Sequence, residues 1–327
     1  MLPWFRDGFV PLYLAPMAGV TDVVFRQLCK ELGADVMVTE FVSAEGIVRR
    51  DDRTRHYTEF TEDQRPVGVQ LFGANPASLA EAARKIVDWK RPDFLDLNVG
   101  CPVNKVVAKN GGSSLLLDCP LLGRVARAVA AAAAVPVTAK IRIGWDQAHI
   151  NGPEVCRLLE DSGVAAVAVH GRTRSQGYAA HADWDVIDQC AAAVRIPVVG
   201  NGDLACGRDV EQRLATTRVR GLMIGRAAMS YPWVFREARE YLRTGRQPEP
   251  MPAAARWEFI LRHARMAVAA DPRRDERHVL MRLRTRLMAY SKGLPGSKHL
   301  RARFCHVSSL AELEDLAGSS LAAPPVA

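Results

Sequence analysis

Val198-Val199-Gly200-Asn201-Gly202-Asp203-Leu204-Ala205 can be read in two ways, and the choice between them decides the fold. As Gly-x-Gly-x-x-Ala after a short apolar run, it matches a weak dinucleotide fingerprint, the opening turn of a doubly wound sheet. Its position argues against that. Six comparable apolar runs precede it, at 12–15, 36–39, 67–72, 94–98, 135–141 and 164–170. It closes a seventh at 196–201, and an eighth follows at 219–224. Near the distance where a ribose-binding carboxylate belongs stand Arg218 and Arg220 instead. Each run is rich in Val, Ile or Leu without strict alternation, the pattern of parallel strands covered on both faces. Amphipathic or alanine-rich stretches lie between them, at 76–89, 121–134, 153–162 and 184–194. Eight β/α repeats in about 240 residues predict an α/β fold, a (β/α)8 TIM barrel, with the doubly wound sheet as runner-up.

In a barrel, the loops after the seventh and eighth strands form the usual phosphate site. Gly200 to Asp203 supply one half. Gly221-Leu222-Met223-Ile224-Gly225-Arg226 supplies the other, ending in a Gly for close backbone approach and an Arg for charge. Backbone amides and a guanidinium together suit a phosphate-bearing cofactor. The other strand ends converge on the same mouth: Ala15-Pro16-Met17-Ala18-Gly19-Val20-Thr21-Asp22, then Gln70, Asn98, Lys140 with Arg142, and His170-Gly171-Arg172. Neutral amides and cations in one ring fit a planar, electron-rich, anionic ligand. A reduced flavin needs positive charge near its N1–C2 edge, which Lys140 can supply. Neither a carboxylate pair nor a His-x-x-x-His cluster points to hydrolysis or a metal.

Asp96-Leu97-Asn98-Val99-Gly100-Cys101-Pro102, followed by Asn110-Gly111-Gly112-Ser113-Ser114, marks the fourth strand end as reactive. The chain has seven cysteines, none in a Cys-x-x-Cys pair, so neither a zinc knuckle nor a disulfide framework is indicated. Most free cysteines are packing residues. Cys101 differs because Asn98 and a glycine-rich loop flank it, giving the partly exposed, tunable setting a catalytic thiol needs. Free cysteines without an export signal point to a reducing cytoplasm, and no apolar run is long enough to span a bilayer.

The net charge of +8 is unevenly placed. Residues 251–305 hold thirteen Lys/Arg against four Asp/Glu, which leaves the first 250 residues nearly balanced. A basic field of that kind attracts polyanions, nucleic acid first among them, or is merely a solvated arginine-rich surface. Residues 246–252 (Arg-Gln-Pro-Glu-Pro-Met-Pro) read as a stiff linker. Helical stretches follow at 257–269, 275–290 and 310–316. In the middle one, Leu280, Leu283 and Leu287 should face a core, while Arg282 and Arg286 stack four apart on one flank. The expected division is a barrel over 1–245, a basic helical domain over 246–317, and a disordered tail over 318–327.

Several blocks, in order, resemble the tRNA-dihydrouridine synthase family. They are Ala15 to Asp22, Leu95-Asp96-Leu97-Asn98-x-Gly100-Cys101-Pro102 with Val106 and Gly112-Ser113, Lys140-Ile141-Arg142-Ile143-Gly144-Trp145, His170-Gly171-Arg172-Thr173-Arg174 and Gly200-Asn201-Gly202-Asp203. The resemblance runs from about 12 to 235; the helical part is similar only in size, charge and position. It implies an FMN-containing barrel that reduces the C5–C6 bond of particular uridines in tRNA with NADPH. Pro16, Met17, Ala18, Gln70, Lys140, His170, Asn201, Gly202, Asp203, Gly225 and Arg226 would then hold FMN. Asn98 and Arg142 would contact the uracil and Cys101 would be the acid. Arg172 is a further expected substrate contact, and the charge and spacing of the helical part, not the resemblance, single out Arg282 and Arg286 for the RNA. A monomer, free of metal and membrane, is expected. A flavin barrel acting on a free pyrimidine and a catalytically silent tRNA-binding protein are the competing readings. A Schiff-base aldolase on Lys140 would have no need of Cys101.

Overall fold

A computed structural model describes residues 2–49, 52–108 and 110–322. Among them nine strands pair in parallel: β1 (Leu12–Leu14), β2 (Met37–Val38), β3 (Val42–Ser43), β4 (Val67–Phe72), β5 (Phe94–Val99), β6 (Val137–Arg142), β7 (Ala166–His170), β8 (Val198–Asn201) and β9 (Gly221–Ile224). The ring order is β1, β9, β8, β7, β6, β5, β4, β2. It closes where Tyr13 bridges Val36 in parallel, the Leu14 N–H donating to the Val36 carbonyl at 3.1 Å. β3 only extends the wall beside the end of β4, so the barrel has eight strands and the doubly wound alternative is gone. β6 and β8 begin two residues later than the apolar runs predict, each directly after a proline (Pro136, Pro197) that has no N–H for the ladder.

Helices cover the outside. Pro76–Lys90 starts on Asn75, whose side chain accepts the Ala77 and Ser78 amides, and Cys119–Ala132 starts on Asp118 in the same way. The apolar residues separate into two clusters by strand parity. Leu12, Leu14, Val67, Val69, Leu71, Leu95 and Leu97 pack outward against the helices. Tyr13, Val36, Val38, Phe94, Ala166, Ala168, Val199 and Met223 fill the barrel, joined from below by Leu2, Trp4 and Phe5. Trp4 packs its ring tilted against Phe94, 5.4 Å between centroids, and donates its indole N–H to the Tyr13 hydroxyl at 2.5 Å. Gly68 makes room for that filling, because a Cβ there would lie 2.2 Å from the Phe94 ring. The apolar floor leaves the polar inward positions to the opposite end.

After the helix Val234–Thr244 the chain crosses to four more helices, Ala253–Ala270, Glu276–Tyr290, Ser297–Phe304 and Leu310–Ala322. Leu280, Leu283 and Leu287 are buried, as their spacing predicts. The helix at 297–304 was not expected, since Gly293-Leu294-Pro295-Gly296 before it reads as loop. The last helix also runs past 317. The stretch 318–322, expected to be disordered, is helical, and Ser320 Oγ accepts the Trp257 indole N–H at 3.2 Å; residues 323–327 lie outside the described residues. No helix among the described residues is long and apolar enough to cross a membrane.

Candidate active site

The ladder registers stack the inward polar residues in tiers. Gln70, Asp96 and Thr138 are cross-strand partners, with Asn98 and Lys140 one tier above, and Arg142, His170 and Asn201 above those. The lowest tier is joined by hydrogen bonds within itself. Asp96 accepts Gln70 Nε2 at 2.7 Å and Thr138 Oγ1 at 2.5 Å, while burial pushes its carboxyl upward against those bonds. Gln70 Oε1 in turn accepts Asn98 Nδ2 at 2.8 Å. Gln70 therefore sits below the mouth as a link in the network, with one amide proton and one lone pair to spare.

Asn98 shapes the turn that carries the thiol. Its Oδ1 accepts the backbone amides of Gly100 at 3.1 Å and Cys101 at 2.9 Å. The Cys101 carbonyl accepts both the amide (3.1 Å) and the hydroxyl (2.9 Å) of Ser113. Gly112 makes this return possible: its φ is +61°, and a Cβ would lie 2.8 Å from the Cys101 carbonyl oxygen. Cys101 is 7% exposed. Burial pushes its thiol above the ordinary range, opposed by a backbone hydrogen bond from Val103 and by the charges of Arg142 and Lys140. It is therefore a protonated thiol at neutral pH, suited to giving up a proton and poorly suited to nucleophilic attack.

Four cations, Lys140, Arg142, Arg172 and Arg226, surround His170, and burial with their combined charge drives His170 far below its usual range, so it is neutral. Arg142 commits two of its nitrogens to main chain, donating Nε to Gly100 O at 3.0 Å and Nη1 to Thr173 O at 2.8 Å, which ties the Cys101 turn to the loop after β7. Arg172 grips Asp203 through Nη2 at 2.6 and 2.8 Å, and Arg226 reaches the same carboxylate at 2.8 Å. Burial would raise Asp203, but those guanidinium contacts and the Ala182 amide outweigh it and hold the carboxyl below its ordinary range. Lys140 Nζ has no hydrogen-bond partner among the described residues. Burial first, then the Arg142 charge, lowers it to about 8.

The expected residues thus divide into three groups. Cys101, Asn98, Lys140, Arg142, His170, Arg172, Asn201, Gly202, Asp203, Gly225 and Arg226 share one mouth at the carboxyl ends of the strands, where barrel enzymes hold their chemistry. Met17 joins them from the β1 loop, its sulfur 3.7 Å from where a Cβ on Gly225 would stand, with partly buried Pro16 beside it and Ala18 exposed. Arg282 and Arg286 are elsewhere. Arg282 lies on the helical lobe's surface, 3.9 Å from Asp271. Arg286 is buried: it is 5% exposed, and its Nη2 donates to Val20 O at 2.7 Å. Arg256 and Arg284 are likewise spent on carbonyls, so the basic face is smaller than the sequence count suggests.

Two residues of the mouth escaped the sequence reading. Tyr178 stands 60% exposed on the loop after β7, with the Arg226 guanidinium 4.8 Å and the Arg142 guanidinium 5.9 Å from its ring. A lone loop aromatic has no periodicity to betray it. Glu40, just past β2, is buried and raised by burial and by Asp22, with the Gly19 and Val20 amides opposing that rise. Among the described residues no cluster of His, Cys, Asp or Glu could hold a metal ion.

The model of the dihydrouridine synthase (Dus) family matches residues 13–322. Among curated proteins, tRNA-dihydrouridine synthase B of Xanthomonas campestris pv. campestris is 44% identical over 250 residues, 76% of this chain and 75% of its own. tRNA-dihydrouridine synthase B of Pseudomonas putida is 42% identical over 299 residues, 90% of this chain and 86% of its own. A probable tRNA-dihydrouridine synthase of Aquifex aeolicus is 34% identical and covers 94% of this chain and 95% of its own. Among solved structures, FabK from Thermotoga maritima shares 14% identity at a TM-score of 0.40, covering 68% of this chain and 60% of that one.

Proposed function

The chain belongs to the dihydrouridine synthase family, and from that premise we propose that it reduces the C5–C6 bond of uridines in tRNA, with FMN in the mouth and NADPH as reductant. The observation that carries this reading is the protonated Cys101 thiol held beside a ring of cations around neutral His170.

The mouth fits the cofactor on two grounds. Lys140 presents an ammonium without a protein partner among the described residues, and the four cations around His170 outnumber the carboxylates described at the mouth, Asp96, Asp203 and Glu40, the first and last of them raised by burial. That balance suits an anionic ligand. Met17, Gly225 and Arg226 would frame its phosphate side, and Lys140 its carbonyl edge, with Pro16, Ala18, Asn201, Gly202 and His170 around it. Asp203 acts through the two arginines it anchors. Bound there and reduced by the nicotinamide, FMN would supply a hydride for uracil C6. The protein's own contribution is the proton. Hydride addition leaves negative charge at C5 and its neighbouring carbonyl, and Cys101 Sγ delivers its proton to C5. Asn98 and Arg142 set the distance, one by shaping the Cys101 turn and the other by fastening that turn to the opposite loop. Each also retains a donor for the base.

A base can lie in this mouth only after leaving its stack. The basic helical lobe would hold the RNA backbone meanwhile, through the surface cations that remain once Arg256, Arg284 and Arg286 are set aside. Replacing Arg282 with Gln should therefore weaken tRNA binding and lower the salt slope by about 0.7 to 0.9. An unchanged slope in a salt titration would move the docking face away from this helix.

The decisive experiment is anaerobic. NADPH should bleach the visible flavin absorption of the purified protein, and unmodified tRNA should restore it. Restoration by a free pyrimidine with tRNA inert would move the assignment to small-molecule chemistry; no flavin signal even after FMN is added would leave RNA binding alone. A second test uses Lys140. With its pKa at about 8, the ammonium is largely deprotonated above that pH, while a bound anion favours the charged form. FMN binding at pH 8.5 should thus take up protons, visible as a calorimetric enthalpy that depends on the buffer. The same enthalpy in buffers of different ionisation heat would refute the pairing of Lys140 with the anionic edge.

A further inference from the structure

The helix Glu276–Tyr290 brings the helical lobe to the barrel mouth. In the β1 loop, Met17 O accepts the Val20 and Thr21 amides, both at 3.0 Å, and Thr21 Oγ1 accepts the Met17 amide at 3.0 Å. The two peptides between carry groups that this local turn leaves over. On one side the buried Glu40 carboxylate faces the Gly19 and Val20 amides, which oppose the upward push of its burial. On the other, Arg286 of the helix Glu276–Tyr290 donates to Val20 O at 2.7 Å and Gly19 O at 3.3 Å. Its guanidinium lies 4.2 Å from the Phe25 ring, which fixes its plane. The same helix packs against the short helix Arg226–Ser230 that follows β9. One lobe helix therefore braces both loops that frame the phosphate side of the mouth.

We propose that Arg286 is a positioning residue for the cofactor rim, clamping the Met17–Val20 loop against Glu40, so that the helical lobe is an integral part of the mouth and not only a handle for RNA. This rests on the cofactor reading above for its binding consequence, but not for the clamp. Both bonds leave one terminal nitrogen, Nη2, while the planar guanidinium lies on Phe25; a lysine ammonium can reach a carbonyl but cannot reproduce the stacking. A ligand that needs the loop in place must also favour the lobe's docked position, and by reciprocity anything that moves the lobe changes the affinity for that ligand.

The test compares wild type with Arg286→Met and Arg286→Lys in the full chain, by hydrogen exchange of cofactor-free protein and by FMN titration. Arg286→Met should speed exchange of the peptide covering residues 16–21 at least tenfold while the β5–β7 peptides keep their rates, and should raise the FMN dissociation constant about tenfold. Arg286→Lys should recover part of both. A role limited to lobe packing would lower the melting temperature without singling out that peptide and without rescue by Lys. Should Arg286→Met fail to fold, Glu40→Gln loosens the clamp from the other side, and the same peptide should respond. Equal loop exchange in wild type and in the folded variants would overturn the clamp. Faster loop exchange together with no FMN binding by wild type would support the clamp and defeat the cofactor reading instead.

Discussion

Cys101→Ala should bind flavin and tRNA as the wild type does and lose about 10² to 10⁴ in turnover, the usual worth of a positioned general acid. The substitution is clean because the main chain at this position is fixed by groups other than the thiol. Asn98 Oδ1 holds the Cys101 amide and Ser113 holds the carbonyl, so the turn stays where it is when Sγ is removed. Rapid-mixing measurements should divide the reaction in two. Bleaching by the nicotinamide should keep its rate, whereas reoxidation by tRNA should be slow. Cys101→Ser should recover little, since a hydroxyl is a far weaker acid than a thiol. Reoxidation at the wild-type rate in the Ala variant would remove Cys101 from the proton transfer.

Gly112→Ala should be the most damaging change outside the set of groups that touch substrate. Two penalties coincide at this position. A side chain is strained at φ +61°, and the added Cβ would meet the Cys101 carbonyl oxygen at 2.8 Å and its Cβ at 3.1 Å. Alanine at positive φ costs more than the roughly 0.4 to 1 kcal/mol it gains elsewhere by restricting the unfolded chain. The collision is with backbone, so relief comes from moving the Cys101 turn itself. A displacement of about 1 Å at a reacting group can cost on the order of 10²-fold in rate. We expect a loss of that size in tRNA reoxidation, a melting temperature lower by a few degrees, and unchanged flavin content. Full activity with the lower melting temperature would mean that the turn absorbs the shift without moving Sγ.

The barrel was legible because parallel strands under helices leave unbroken apolar runs, and eight such runs with helical stretches between them admit few closures. Strand parity was not legible. With apolar partners on both faces, Phe94 and Leu95 look alike in the sequence, although one fills the barrel and the other meets the outer helices. The mouth was readable wherever a polar residue broke an apolar run, as at Asn98, Lys140 and His170, although the same signal at Gln70 marked a residue one level below it. It was unreadable where a residue's role depends on a distant partner. Arg286 borders the buried Leu283–Leu287 stripe and looks like a solvated charge until the β1 loop supplies its carbonyls. Asp203 looks like a ligand contact until Arg172 and Arg226 are seen to converge on it. Tyr178 and Glu40 are single residues without periodicity, and only the closed ring brings them to the mouth.

Leu2, Trp4 and Phe5 seal the floor beneath Tyr13 and Phe94. A vessel closed at the bottom has a single doorway. Under the proposed chemistry, the nucleotide that delivers electrons and the RNA that receives them must then queue for the same opening. Each visitor obstructs the other. An excess of tRNA should slow the enzyme by keeping the reductant waiting outside, and an excess of reductant should do the same to tRNA.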